Sequence, residues 1–152
     1  MAKRSERLRP VQKVAENREQ DAAREMGKAH KHIEELQARL TELIAFREEY
    51  ARNFLSLGTQ GMSVEKMREY QGFIHRIDQA IAYQHNLTEQ AKTTYAHRQH
   101  VWGYLHSRVL AIDKLSLRYQ QQEQADADRR EQKETDERAQ RSRRVELSTT
   151  PP

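Results

Sequence analysis

No cysteine occurs among the 152 residues, and only three prolines, five glycines and one tryptophan are present. Without cysteine there is no disulfide framework, no thiolate zinc site and no cysteine nucleophile, a composition that suits a reducing compartment. Proline is found at position 10 and then only at 151 and 152, so the strongest helix breaker is missing from almost the whole chain. No apolar run approaches the roughly 20 residues needed to cross a bilayer. The start, Met1-Ala2-Lys3-Arg4-Ser5-Glu6-Arg7, leads into no apolar signal core, and the expected location is the cytoplasm. At 36% hydrophobic and 7% aromatic the sequence is also too polar for an ordinary globular core. Charge of one sign is lacking as well: 27 basic against 23 acidic residues leave +4, where simple disorder prefers a large net charge. With both signs interleaved, the slight basic excess does not by itself indicate nucleic acid.

What the chain does have is helix-forming residues at a coiled-coil period. Ala, Glu, Lys, Leu and Arg make up about half of it. Stepping by seven from Leu8 gives Ala15, Ala22, Ala29, Leu36, Leu43, Tyr50 and Leu57 without meeting a charge. The companion series is Gln12, Glu19, Met26, Ile33, Leu40, Arg47 and Phe54. Later the pattern resumes as Tyr70, Ile77, Gln84, Ala91, Arg98, Leu105, Ile112 and Tyr119, interleaved with Met67, Ile74, Ile81, Thr88, Tyr95, Trp102, Val109 and Ser116. Alternating steps of four and three over many heptads predict two helices with a coiled-coil seam.

Between the two series lies the one clustered break, Ser56-Leu57-Gly58-Thr59-Gln60-Gly61-Met62-Ser63. Either glycine could end a helix in the left-handed conformation, Ser63 suits an N-cap, and Met62 and Met67 occupy the positions of a hydrophobic staple around it. The expectation is a helix over about 5–57, a turn over 58–63 and a second helix over about 64–140. So short a turn makes the two antiparallel. The fold class is therefore all-α, a long two-helix antiparallel coiled-coil hairpin forming a single domain over residues 1–147, with a disordered tail at 148–152. At about 1.5 Å per residue the arms would be about 80 and 115 Å long, the second overhanging the first. Gln120 to Arg144 contains no large apolar residue, so that stretch reads as a solvated helix or a tail that orders on a partner.

Catalytic and ligand-binding patterns are sparse. No G-x-x-x-x-G-K-[ST] occurs, so the chain should not hydrolyse nucleotide itself. Gly58-Thr59-Gln60-Gly61 fits a GxxG clamp of RNA-binding domains, but those need surrounding strands. His97 and His100 could share a helix face and hold a metal loosely, yet their plainer role is flanking a seam. The Glu-x-x-His motif of di-iron bundles is absent. No cofactor and no catalytic residue is expected, because a two-helix rod encloses no pocket.

Residues off the seam are more informative. Ile44, Phe46 and Leu55 on the first helix, and Phe73, Ala80, Leu87 and Val101 on the second, widen the apolar stripe beyond what two helices cover. Near the turn, Phe46, Tyr50, Phe73, Ile77 and Ala80 could leave an apolar patch for a partner; lateral self-association or a locally wider core is the alternative. Both chain ends lie at the tip opposite the turn. They bring Lys3, Arg4, Arg7, Arg9 and Lys13 near the mixed-charge stretch that starts at Arg129 and Arg130. Solvation explains most such runs, but the tip could also enter a complementary opening in a larger assembly.

The opening Arg7-Leu8-x-x-Val11-x-x-x-Ala15 with Ala22-Ala23, the central glycine-containing turn, and the closing Arg129-Arg130-Glu131-Gln132-Lys133-Glu134-Thr135-Asp136-Glu137-Arg138-Ala139 together resemble the FliJ family of the flagellar type III export apparatus. The resemblance implies a non-enzymatic antiparallel coiled coil similar to the γ subunit of rotary ATPases. It also implies contacts with the ring of the export ATPase FliI, with the export gate protein FlhA and with export chaperones, at the cytoplasmic face of the inner membrane, in flagellum assembly and hence motility and chemotaxis. On that basis the gate-contacting surface is carried to Leu43, Phe46, Tyr50, Phe73, Ile77 and Ala80. Gln84 stands where the family leads one to expect a His. For the ATPase ring the candidates are the tip residues Arg4, Arg7, Arg9, Arg129 and Arg130. Two other functions compete: a general coiled-coil chaperone or interaction module for export substrates, and a basic helical nucleic-acid binder, for which recognition motifs are missing.

Overall fold

The topology is set at the turn. In the computed structural model, which describes residues 2–149, helix α1 spans Arg4–Thr59 and helix α2 spans Val64–Thr149. Among the described residues there is no strand. Gly61 carries a φ of 89°, the left-handed conformation that glycine adopts without penalty. Gly58, the other candidate, remains helical. The Gly61 amide still reaches back to the Gly58 carbonyl at 3.3 Å, and the Gln60 amide to that of Leu57 at 3.2 Å, which satisfies carbonyls at the end of α1. On the other side, Ser63 Oγ accepts the Lys66 amide at 3.3 Å, the expected N-cap bond of α2.

Both helices are longer than the sequence pattern sets them. Gly58 and Thr59 belong to α1, and the Thr59 hydroxyl donates to the Ser56 carbonyl at 2.7 Å. At the other end α2 does not stop near 140. It continues through Ser148 and Thr149, whose hydroxyls each donate to the Val145 carbonyl at 2.9 Å. These two residues were expected in a disordered tail; residues 150–152 of that tail lie outside the described part. The extension has a simple cause: residues 120–149 contain neither glycine nor proline and are rich in strong helix formers. Pro10 lies inside α1, where it cannot donate the hydrogen bond that the Glu6 carbonyl would otherwise receive.

Two compact units can be distinguished, each built from parts of both helices: residues 19–105, which contain the turn, and residues 1–18 with 106–152. In the turn-containing unit the heptad positions Ala22, Ile33, Leu36, Ile77, Gln84, Thr88 and Ala91 are buried. Ile33, Leu36 and Ala91 form a core cluster against which Leu87 and Tyr95 pack. The seam is not purely apolar. The Gln84 side-chain amide donates to the Leu36 carbonyl at 3.3 Å, and the Thr88 hydroxyl, on a residue only 2% exposed, donates to the Gln84 carbonyl at 2.9 Å. These bonds satisfy polar groups that would otherwise be costly to bury. Arg98, although at a heptad position, is exposed, as are Leu57 and Met67 beside the turn.

In the second unit, Ser5, Ala15, Val109 and Ser116 are buried and Leu8, Ile112 and Tyr119 are half-buried. Gln12 donates to Asp113 at 3.2 Å across the pair. From Gln124 to Thr149 every residue of α2 is exposed.

Candidate functional sites

Five aromatic rings converge in the turn-containing unit. Phe54 and Tyr70 are placed equally far from Met62 along the two arms and meet at 5.2 Å between centroids. One heptad layer further on, Tyr50 contacts Tyr70 at 5.0 Å and Phe73 at 4.7 Å. Phe46 packs at 6.3 Å from Tyr50 and edge-on to Phe73 at 6.4 Å, a favourable aromatic geometry. Burial among these rings pushes the Tyr50 hydroxyl above its ordinary pKa, and electrostatic interaction with Tyr70 and Glu69 adds to that.

The outer edge of this cluster is open. Phe46 is 47% and Phe73 37% exposed; Ala80 is exposed, and Leu43 and Tyr50 are half-buried. Ile77 is the exception. At 6% exposure it belongs to the seam, because it continues the heptad series of Tyr70 and Gln84, and it offers no surface to a partner. The structure thus brings Phe46, Tyr50 and Phe73 together and removes Ile77 from the patch. Gln84, one heptad beyond, is likewise buried and turned to the Leu36 carbonyl.

Beside the patch the helices are clamped by charge. Arg47 Nε donates to Asp78 Oδ1, and Nη2 donates to Oδ2 at 3.3 Å, the two-pronged geometry that a guanidinium makes with a carboxylate. The hydrogen bond to Arg47 holds the Asp78 carboxyl below its usual range, and the reciprocal bond raises Arg47. Sequence reasoning passed over this pair and over the stacking of Phe54 and Tyr70. A charge at the heptad position of Arg47 was the available signal, since it lies beside the seam at nearly the same level of the hairpin as an acid, Asp78, on the other arm.

At the other candidate site, in the second unit, α1 begins against α2. The Ser5 amide donates to Glu123 Oε1 at 3.1 Å and the Ser5 hydroxyl to Oε2 at 2.6 Å. These bonds, the side-chain one first, hold the Glu123 carboxyl below its usual range; burial opposes them, while the Lys3 charge and the Arg4 amide add to them. A glutamate is thereby seated at the positive end of a helix. Arg4 lies 5.8 Å from the centre of the Tyr119 ring, within reach of a cation–π contact. Arg4 and Arg7 line one shallow groove with Tyr119, Glu123 and Asp126. Arg129 pairs with Asp126 at 3.8 Å, and Arg9 and Arg130 are exposed. Of the five tip arginines, the structure gathers Arg4 and Arg7 into one groove and places Arg129 and Arg130 further along the unpaired part of α2.

Among the described residues no helix is long and apolar enough to cross a membrane, and no three His, Cys, Asp or Glu side chains are grouped to hold a metal ion. The chain matches no curated protein and no solved structure. The family described as Flagellar FliJ protein, in contrast, matches residues 4–147, nearly the full length of both helices. The chain therefore belongs to the FliJ family and is a component of the flagellar protein export apparatus.

Proposed function

We propose that this protein is a non-enzymatic stalk that links the export ATPase ring, FliI, to the export gate, FlhA, in the cytoplasm at the face of the inner membrane. The observation that carries the reading is the contact between Phe46 and Phe73, two rings from different helices that meet edge-on while each remains more than a third exposed. An aromatic pair in that condition retains apolar surface that a partner can bury. With Leu43, Tyr50 and Ala80 it forms the gate-facing patch. The ring-facing part is the end of the second unit, where Arg4, Arg7 and Arg9 lie on α1 and Arg129 and Arg130 on the exposed stretch of α2. Contacts that differ among ring subunits would let stalk and ring bias each other's states. Export chaperones are further partners.

Two measurements test this. Phe46→Asp and Phe73→Asp should abolish binding of the gate's cytoplasmic region while circular dichroism stays helical. Binding that survives both substitutions removes the patch from the gate contact. Adding the protein to the export ATPase should change its turnover or ring assembly, and Arg4→Glu with Arg129→Glu should weaken that change. An ATPase indifferent to the protein overturns the stalk reading.

A further inference from the structure

Away from the aromatic patch, the turn-containing unit carries a groove along one flank of the helix pair. Its floor is apolar, made by Ala29 and Leu36 of α1 and by Leu87 and Ala91 of α2. The two alanines create it: at seam positions they are too short to fill the space that a leucine would occupy, so the depression stays open beside the Ile33, Leu36 and Ala91 core. Its charged or titratable lining groups are His32 and Arg39, both exposed, and no carboxylate lines it. Gln90 and Thr94 complete the opposite rim. The α2 flank that borders it is equally free of acid. Taken in three- and four-residue steps from Tyr83 to Tyr104, it meets Leu87, Gln90, Thr94, His97 and Val101 and not one Asp or Glu. In a chain with 23 acidic residues, that leaves a flank of α2 without a carboxylate, and the fixed charge that lines the groove, Arg39, is cationic.

We propose that this groove seats an amphipathic helix of a partner protein, with leucine-like side chains on the alanine-made floor and carboxylates along the edge that meets Arg39 and His32. A helix laid in a groove is recognised by anchors at spacings of three and four. The floor residues Leu87 and Ala91 recur at that spacing, and charge complementarity at the rim selects acid over base. A second copy of this chain fits less well. Its exposed stretch, Gln124 to Thr149, has only Val145 and Leu147 as large apolar residues, and two residues that are two apart do not share a helix face. The proposal does not depend on the gate-facing role of Phe46 and Phe73.

The test uses the full chain, isotope-labelled for NMR, and two synthetic amphipathic peptides with leucine along one face and either glutamate or lysine along both edges. The glutamate peptide is expected to shift the amide signals of His32, Arg39, Leu87 and Thr94 and to bind about tenfold more tightly than the lysine peptide. Arg39→Glu and Thr94→Glu, both at exposed positions that leave the core intact, should reverse that preference. Phe73→Asp should leave it unchanged. Equal binding of the two peptides, shifts confined to Phe46 and Phe73, or concentration-dependent dimers whose contact covers Leu87 would each overturn the proposal.

Discussion

Glu123 of α2 caps the first turn of α1 through Ser5, with the Ser5 amide on one carboxylate oxygen and the Ser5 hydroxyl on the other. The two residues are far apart in sequence, so the contact fixes where the paired part of the molecule ends. Beyond Glu123, α2 continues alone. The bonds favour the ionised carboxylate, as the depressed Glu123 pKa indicates.

The stability this contact supplies is therefore fully present above the pKa of an unfolded glutamate, about 4.3, and is lost as pH falls through the lower folded value. Glu123→Gln should be less stable than the parent at neutral pH. The gap should narrow below about pH 4, where the parent loses its own charge-assisted bonds. Urea unfolding at a series of pH values, followed by circular dichroism, measures it. A gap that stays constant through the acid range would separate the Ser5 contact from the ionisation of Glu123.

Gly61 is the residue at which the backbone itself is demanding, at φ 89°. A Cβ built there would meet nothing within 4 Å, so Gly61→Ala should destabilise through backbone conformation alone, by about 1–2 kcal/mol. Gly61→Asn should cost less, because asparagine tolerates that conformation. Gly58→Ala, in a helical residue, should be neutral to stabilising by roughly 0.5–1 kcal/mol. Equal effects at the two glycines would contradict the turn geometry.

The seam should dominate the energetics. Leu36 is 5% exposed within the main core cluster, and Leu36→Ala should cost about 2–4 kcal/mol by removing its contacts and leaving a cavity. Tyr104, larger but 63% exposed, should tolerate replacement by alanine to within about 0.5 kcal/mol. Chemical unfolding of both variants is the measurement, and a comparable loss at Tyr104 would mean that this ring is covered in solution.

The heptad series makes the pairing legible in the sequence. Leu36, Ile77, Ala91 and Val109 fell on it and are buried. The same series also places Ile77: the apolar patch read near the turn and the family resemblance both count it as partner-facing, whereas its heptad spacing sets it in the seam, where it is buried. The aromatic cluster was half legible. Phe54, Tyr50 and Tyr70 could be read as seam residues, but their mutual stacking depends on how the two arms align across the turn, which no single helix period states. Helix ends were the least legible, because a stretch such as 140–149 lacks both an apolar period to mark it as packed and a breaker to stop it. The acid-free rim of the groove is visible in the sequence only once Leu87 and Arg39 are known to lie side by side.

The placement of Phe54 and Tyr70 at equal distances from Met62 has a consequence for how such a chain can change length. Within the turn-containing unit each layer is defined by its count from the turn, so one residue inserted into α1 would swing every later layer of that arm by about 100° off the seam. The layers nearer the turn would be untouched. Seven residues added to one arm alone would restore the face but slide the arm by two turns against its partner. Only matched insertions of whole heptads in both arms preserve the pairing, which makes the hairpin a ruler graduated in heptads with its zero at the turn.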